Sequence, residues 1–202
     1  DLSNVGPTCL GLQLDVSETT SVAAGVAMAI DHWGRIDILI NNAGTAGESA
    51  PVWEATDANW ARVLAVNLTG TFHMCRAVLP SMRKRGYGRI VNVSSISARD
   101  GNANAAAYSA SKAGILGLTR ALSLEVADGG ILVNAVSPAA VDTERALAAD
   151  QASRAPLIDK IPMGRAARPE EVADLVLFLA SPACAFSTGA NFDISGGRAN
   201  IT

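Results

Sequence analysis

The chain has 202 residues and a formal net charge of −3, and it is 49% hydrophobic and 17% charged. This composition excludes a disordered chain, and the near-neutral charge excludes a general field for binding nucleic acid or an anionic membrane. The length suits one α/β domain over residues 1–202, and no apolar run approaches the roughly 20 residues that span a bilayer. The three cysteines lie far apart without a CxxC pair. They predict buried, reduced thiols in a cytoplasmic protein and no metal site.

Short apolar runs alternate with longer helical stretches along the chain. The predicted strands are Thr8–Asp15, Ile36–Asn41, Arg89–Ser94, Ile131–Val136 and Ala190–Ile194. The predicted helices are Ser17–Asp31, Asp57–Arg85, Ala105–Ala127 and Pro169–Ala180. The strands lack period-2 alternation, as expected where helices cover both faces of a parallel sheet. The pattern therefore predicts an α/β fold with a doubly wound parallel sheet.

The third predicted helix carries a candidate acid–base pair in Tyr108-Ser-Ala-Ser-Lys112. Residues four apart share a helix face, so the phenol and the ammonium are expected to be neighbours. A phenol has a pKa of about 10, and a nearby ammonium favours the phenolate and lowers that value. An ordinary Tyr/Lys pair on a helix remains the alternative interpretation.

Further candidates lie where predicted strands end. Ser95 follows an apolar strand thirteen residues before Tyr108, and Asn41-Asn42-Ala43-Gly44 ends the strand before it. Ligands bind beyond the carboxyl ends of strands in open α/β sheets, although both segments also suit simple turns. Asn67 and Gly70 sit in the middle of a helix, where they mark either a functional kink or a tolerated defect.

Two loops are harder to interpret. Pro138 to Pro162 is the longest segment without clear periodicity, and long loops in compact domains are usually functional. Arg99 and Asp100 lie between Ser95 and Tyr108. We interpret them as solvated loop charges, with the edge of a substrate pocket as the alternative.

Together these segments resemble the short-chain dehydrogenase/reductase family. The matching elements, in family order, are Leu14-Asp15-Val16, NNAG from Asn41, VNLTG from Val66, NVSS from Asn92, YSASK from Tyr108, NAVSPAAVDT from Asn134, MGRAARPEEVADLVLFLAS from Met163, and Gly196-Gly197. They cover nearly the whole chain. The resemblance implies a Rossmann-type sheet and an NAD- or NADP-dependent oxidoreductase that interconverts an alcohol and a ketone.

The resemblance also implies catalytic roles. Tyr108 is expected to protonate the carbonyl oxygen, and Lys112 to hold the nicotinamide ribose and depress the pKa of Tyr108. Ser95 is expected to hydrogen-bond the reacting oxygen, and Asn67 to hold a water that links Lys112 to solvent. The implied cofactor-binding residues are Tyr108, Lys112, Asp15, Val16, Asn42, Ala43, Gly44, Val141 and Thr143. Val141 to Pro162 is expected to form a lid.

One family element is missing from the 202 residues. The glycine-rich TGxxxGxG phosphate loop, with the first βαβ portion of the sheet, has no counterpart here, so the resemblance predicts an N-terminally incomplete domain with roughly 45–60 residues before Asp1. A smaller departure is Pro138-Ala139, where the family usually has Pro-Gly.

The expected substrate is a small alcohol or carbonyl compound. Acyl-carrier-protein reductases share the motifs but typically carry basic residues near the end of the helix that follows YxxxK, and Ala127-Asp128-Gly129-Gly130 has none. They remain one alternative, and a non-catalytic binding or assembly relative is another. The resemblance also implies a homotetramer, in which the helices Asp57–Arg85 and Ala105–Ala127 pack against their symmetry mates. Both helices are apolar on more faces than one core needs, which is consistent with a second buried surface.

Overall fold

The computed structural model describes residues 9–148 and 151–200. Its four strands are β1 (Ile38–Asn41), β2 (Gly88–Val93), β3 (Ile131–Pro138) and β4 (Asn191–Ile194). They form one sheet in the order β1-β2-β3-β4, and every pair is parallel. This is the predicted α/β, Rossmann-type architecture, and all four strand ends therefore point toward one edge of the sheet.

Helices connect the strands. They are α1 (Thr19–Trp33), α2 (Asp57–Leu64), α3 (Gly70–Arg85), α4 (Ser97–Asp100), α5 (Ala106–Val126), α6 (Glu144–Leu147), α7 (Gln151–Ile158) and α8 (Pro169–Ala180). A π-helical turn, Ala65–Thr69, joins α2 to α3, and short 3₁₀ turns lie at Ala127–Gly129 and Arg198–Asn200. No helix within the described ranges combines the length and apolarity needed to cross a bilayer.

The sheet is buried on both faces, which explains why apolar and polar residues do not alternate along its strands. Ile90 packs with α1, α3 and α5 residues such as Val22 and Val78, whereas its neighbour Val91 packs with Leu179 of α8 on the other face. Both strand residues are 1% exposed. Adjacent residues of a strand point to opposite faces, so both must be apolar here.

One predicted strand is wrong. Thr8 lies outside the described residues, and the rest of Thr8–Asp15 has no strand structure. An apolar segment becomes a strand only when a neighbour supplies backbone hydrogen bonds, and among the described residues none pairs with it. Leu14 instead packs on Gly25 of α1, where an added Cβ would lie 2.5 Å from Leu14 Cδ1.

The long predicted helix Asp57–Arg85 is interrupted where Asn67 and Gly70 stand. Ala65–Thr69 forms a π-helical turn, and the Gly70 N–H bonds the Ala65 carbonyl five residues earlier. Gly70 allows close packing, since a Cβ there would lie 2.6 Å from Val16 Cγ2. Single π turns inside α-helices often accompany functional sites, so this geometry favours the interpretation of a functional kink.

The cysteines are unpaired, as the sequence predicts, but not all are buried. Cys75 and Cys184 lie in the core, whereas Cys9 is exposed. Burial raises the pKa of the Cys75 thiol to about 12. Cys75 is therefore a neutral packing residue at neutral pH.

Candidate active site

The carboxyl ends of three strands and the start of α5 enclose one cleft of about 580 Å³. Asn42 and Gly44 follow β1, Ser95 follows β2, and Val141 and Thr143 follow β3. Tyr108 and Lys112 enter the cleft from the first turns of α5. Parallel strands end at the same edge, so residues far apart in sequence converge as predicted.

Ser95 and Tyr108 meet in this cleft. Ser95 is 8% exposed, and its hydroxyl accepts the Ser97 N–H at 3.1 Å. Burial raises the pKa of Tyr108 above its ordinary value, and the nearby Ser95 hydroxyl only partly offsets that rise. The expected depression of this pKa is therefore not found, because desolvation outweighs the favourable contacts. A phenol with a raised pKa is protonated at neutral pH and can donate a proton.

Lys112 is a buried ammonium with a single hydrogen bond among the described residues. Its side chain is 5% exposed, and Nζ donates to the Val93 carbonyl at 2.7 Å. Nζ also lies 5.7 Å from the centroid of the Tyr108 ring. Burial lowers the pKa of Lys112 from 10.5 to about 8, so the charge remains at neutral pH but is destabilised. An ammonium has three donors, and two remain for a ligand.

Asn67 connects the loop that carries Thr45 to α5 through hydrogen bonds. It is fully buried, its Oδ1 accepts the Thr45 N–H at 2.8 Å, and its Nδ2 donates to the Thr45 carbonyl and to Ser111 Oγ, both at 2.9 Å. Ser111 Oγ in turn donates to the Tyr108 carbonyl at 2.7 Å. Both Asn67 amide hydrogens are used within the protein, so its side chain positions the loop beside Gly44.

We expect Asn67→Ala to destabilise the protein by about 2–4 kcal/mol, because it leaves buried polar partners unsatisfied. We also expect kcat to fall by about tenfold or more through misplacement of the Thr45 loop. Urea unfolding and steady-state kinetics measure the two effects.

Asn92→Ala is a matched control for this change. Asn92 is also fully buried, accepts from Asn41 Nδ2 at 2.8 Å and donates to Thr119 Oγ1 at 2.9 Å, away from the cleft. Asn92→Ala should lower the free energy of unfolding by about as much as Asn67→Ala, while kcat of the folded fraction changes little. Equal loss of kcat in both variants would contradict the positioning role of Asn67.

Some predicted cofactor residues lie apart from this cleft. Asp15, Val16 and Ala43 are not among its described lining residues. Hydrogen bonds from the Ser17 hydroxyl and N–H lower the pKa of Asp15, and His73 Nδ1 lies 3.2 Å from the Val16 carbonyl. Val16 packs against Gly70 at the start of α3, and both Asp15 and Val16 precede α1. Their contact with adenine remains a prediction.

The cleft fits the nicotinamide end of a dinucleotide at Gly44. A Cβ at this position would lie 3.3 Å from Asn67 Oδ1 and 3.7 Å from Lys112 Nζ. Because glycine has no Cβ, a ligand has room against the Gly44 backbone and beside the two spare donors of Lys112. Gly44 and Lys112 thus form a cradle of the expected kind, with Asn42, Val141 and Thr143 around it.

The predicted lid contains two helices on the segment after β3. The Thr143 side chain caps α6 by accepting the Ala146 N–H at 3.2 Å, and Arg154 of α7 pairs with Asp142. Residues 149 and 150 lie outside the described residues. The ion pair ties α7 to the strand end that carries Val141, and its function as a lid stays a prediction.

Sequence reasoning missed an ion pair at the rim of the cleft. Asp100 is not a solvated loop charge, because its Oδ2 accepts from Arg198 Nε at 3.0 Å. The two side chains are 16% and 7% exposed. Nothing in the sequence indicates this contact across 98 positions, although the alternative interpretation of Asp100 at the pocket edge is consistent with it.

Known proteins are similar in sequence to this chain over nearly its full length. The family described as enoyl-(acyl carrier protein) reductase matches residues 2–199. The chain is 44% identical to a 2-dehydro-3-deoxy-L-rhamnonate dehydrogenase (NAD(+)) of Sphingomonas sp. (strain SKA58) over 185 residues, covering 92% of this chain and 74% of that protein. It is 42% identical to a cis-4-hydroxycyclohexanecarboxylate dehydrogenase of Sinomonas cyclohexanicum, covering 97% and 79%. It is 38% identical to a 3-oxoacyl-(acyl-carrier-protein) reductase of Vibrio harveyi, covering 96% and 79%.

Proposed function

The chain belongs to the short-chain dehydrogenase/reductase family of NAD(P)-dependent oxidoreductases, and we propose that it interconverts a small secondary alcohol and its ketone. The observation that carries this proposal is the meeting of Ser95, Tyr108 and Lys112 in one cleft beside Gly44. When bound, NAD(P) supplies or accepts the hydride at the substrate carbon. The chain's own residues then have to bind, orient and move a proton.

Tyr108 and Ser95 handle the reacting oxygen. Tyr108 donates its proton to the carbonyl oxygen in reduction and takes a proton from the alcohol in oxidation. The Ser95 hydroxyl, which lines the same cleft, donates to the same oxygen and stabilises its developing charge. The raised pKa of Tyr108 suits the acid role at neutral pH.

Lys112 and the surrounding loops hold the cofactor. The two spare donors of Lys112 would bind the ribose hydroxyls, while Asn42, Gly44, Val141 and Thr143, which line the cleft, would surround the nicotinamide. Asp15 and Val16 would flank the adenine, and Ala43 would contribute backbone beside Gly44. Asn67 holds the loop in place, and a water near it would connect Lys112 to solvent.

An acyl-carrier-protein reductase is the second candidate, because relatives with that name share up to 41% identity with this chain. The end of α5 argues against it. The turn Ala127–Gly129 and Gly130 carry no basic residue to meet an acidic carrier. We therefore rank a free small-molecule substrate first.

A panel of secondary alcohols and ketones, assayed with NAD and NADP in both redox states, tests this ranking. We expect turnover of at least one free alcohol, read from the absorbance of the reduced nicotinamide. Turnover of acyl-carrier thioesters alone would support the second candidate. The absence of turnover with either substrate class would contradict the proposed function.

We further propose a cytoplasmic homotetramer. The unpaired buried thiols suit a reducing compartment. Two apolar surfaces remain outside the core of a single chain. One lies on α3 and α5, where Phe72 and Leu124 are 40% and 85% exposed, and the other on α8, where Leu177 and Phe178 are 69% and 45% exposed. Patches of this kind usually mark interfaces, and two patches suit a tetramer with two kinds of contact.

We expect light scattering at micromolar concentration to give a molar mass four times that of one chain. Leu124→Arg and Leu177→Arg should each reduce the tetramer to dimers, because each places a charge in one of the two interfaces. Met28→Arg is a control at a 52% exposed apolar position on α1 and should leave the mass unchanged. A monomeric wild-type protein would refute this assembly.

A further inference from the structure

The described charges that line the active-site cleft are all positive. They belong to Lys112, Arg154 and Arg198, and no Asp or Glu is among the described lining residues. The proposed chemistry uses Lys112 but neither arginine. Neutral alcohols make no use of these guanidinium groups, each of which is paired with an aspartate that is not among the described lining residues.

The two arginines lie against different parts of the site. Arg154 pairs with Asp142, which stands between the predicted nicotinamide contacts Val141 and Thr143. Arg198 pairs with Asp100, at the end of α4, in the segment that connects Ser95 to Tyr108. Arg198 is therefore held by the segment that carries Ser95 and leads to Tyr108, whereas Arg154 is held by the predicted nicotinamide loop.

Arg198 is bound on one edge only. Its side chain is 7% exposed, and Nε donates to Asp100 Oδ2 at 3.0 Å. This is the only hydrogen bond that the guanidinium makes with the described residues, and it leaves the two terminal nitrogens, Nη1 and Nη2, for a ligand. A planar guanidinium with a free edge matches a carboxylate in bidentate geometry.

We propose that Arg198 binds a carboxylate carried by the substrate, so that the enzyme acts on hydroxy acids and the corresponding oxo acids. Asp100 acts as a positioning residue, because it holds Nε of an arginine that lines the cleft and leaves the two Nη nitrogens for the carboxylate. This inference rests on the proposed oxidoreductase function and adds the class of its substrate.

Matched substrate pairs test this inference. We choose 3-hydroxybutyrate, 4-hydroxycyclohexanecarboxylate and an aldonate, each compared with its primary amide, in wild type, Arg198→Gln and Arg198→Lys. Charge-assisted bonds of this kind correspond to about 10- to 100-fold in kcat/KM. The wild type should prefer the acid by that factor, mainly through KM. Arg198→Gln should abolish the preference, and Arg198→Lys should retain part of it.

Arg154→Gln is the matched control, since it removes a positive charge from the same cleft. Arg154→Gln should change kcat/KM for the acid and kcat/KM for the amide by similar factors. The affinity for NADH, followed by its fluorescence, should be unchanged in Arg198→Gln. A weaker affinity for NADH with an unchanged acid preference would assign Arg198 to a cofactor phosphate and overturn the inference.

The wild-type ratio decides the question even if an Arg198 variant does not fold. Equal kcat/KM for acids and amides would overturn the carboxylate site while leaving the proposed function intact. Turnover confined to neutral alcohols or to acyl thioesters would also overturn it. Failure of every alcohol and ketone with both cofactors would instead remove the proposed function itself.

Discussion

Tyr108→Phe should reduce kcat by about 10²–10⁴-fold while leaving the affinity for NAD(P)H nearly unchanged. The substitution removes only the phenolic hydroxyl, which is the proposed proton donor in the cleft. Lys112, Gly44 and the loops that hold the cofactor keep their side chains. Steady-state kinetics and a fluorescence titration with the reduced cofactor measure the two quantities separately.

Tyr87→Phe is the matched control, because Tyr87 is the other of the chain's two tyrosines. It stacks under Arg89, with the guanidinium carbon 4.7 Å from its ring centroid, before β2 and outside the described lining of the cleft. Its kcat should stay close to that of the wild type. If Tyr108→Phe retained more than about a tenth of wild-type kcat, Tyr108 would not be the acid.

Lys112→Met should weaken cofactor binding and lower kcat, yet raise the stability of the protein at neutral pH. Because burial lowers the pKa of Lys112 from 10.5 to about 8, keeping its charge buried costs about 3 kcal/mol at pH 7. The apolar variant avoids this cost but loses the bond to the Val93 carbonyl. We therefore expect a net gain of about 1–3 kcal/mol in the free energy of unfolding.

The pH dependence of this gain has a definite sign. Between pH 8 and 10.5 the unfolded chain still binds the lysine proton while the folded protein has released it, so wild-type stability rises with pH in this window. The advantage of Lys112→Met should therefore be full below about pH 8 and vanish near pH 10.5. Urea unfolding of both proteins from pH 6 to 11 measures it. A variant that is less stable than wild type at pH 7 and unchanged in cofactor affinity would contradict both roles of Lys112.

The parts of the fold with strong local signals follow from the sequence. The bounds of α8, Pro169–Ala180, are as predicted, because a proline at the first turn and Glu170-Glu171 mark its start. The convergence of Ser95, Tyr108 and Lys112 also follows, since the ends of parallel strands share one edge. The wrong prediction of a strand at Thr8–Asp15 shows what an apolar pattern cannot indicate. A run of apolar residues forms a strand only where a neighbouring strand pairs with its backbone.

What the sequence could not indicate depends on tertiary contacts. The π turn at Asn67 arises where Val16 meets Gly70 and where Thr45 and Ser111 satisfy the Asn67 amide. The raised pKa of Tyr108 depends on its burial, which the YxxxK spacing does not reveal. The pair of Arg198 with Asp100 joins residues 98 positions apart, and no local pattern marks it.

Transfer of deuterium from a secondary alcohol labelled at its carbinol carbon tests the central claim most directly. A labelled substrate from the active panel is incubated with oxidised cofactor, and mass spectrometry of the reduced nicotinamide follows the label. Direct hydride transfer predicts that the deuterium appears on the nicotinamide, and that Tyr108→Phe forms little of this product while still binding the cofactor. Reduced cofactor without the label, or equal label transfer by wild type and Tyr108→Phe, would contradict this account.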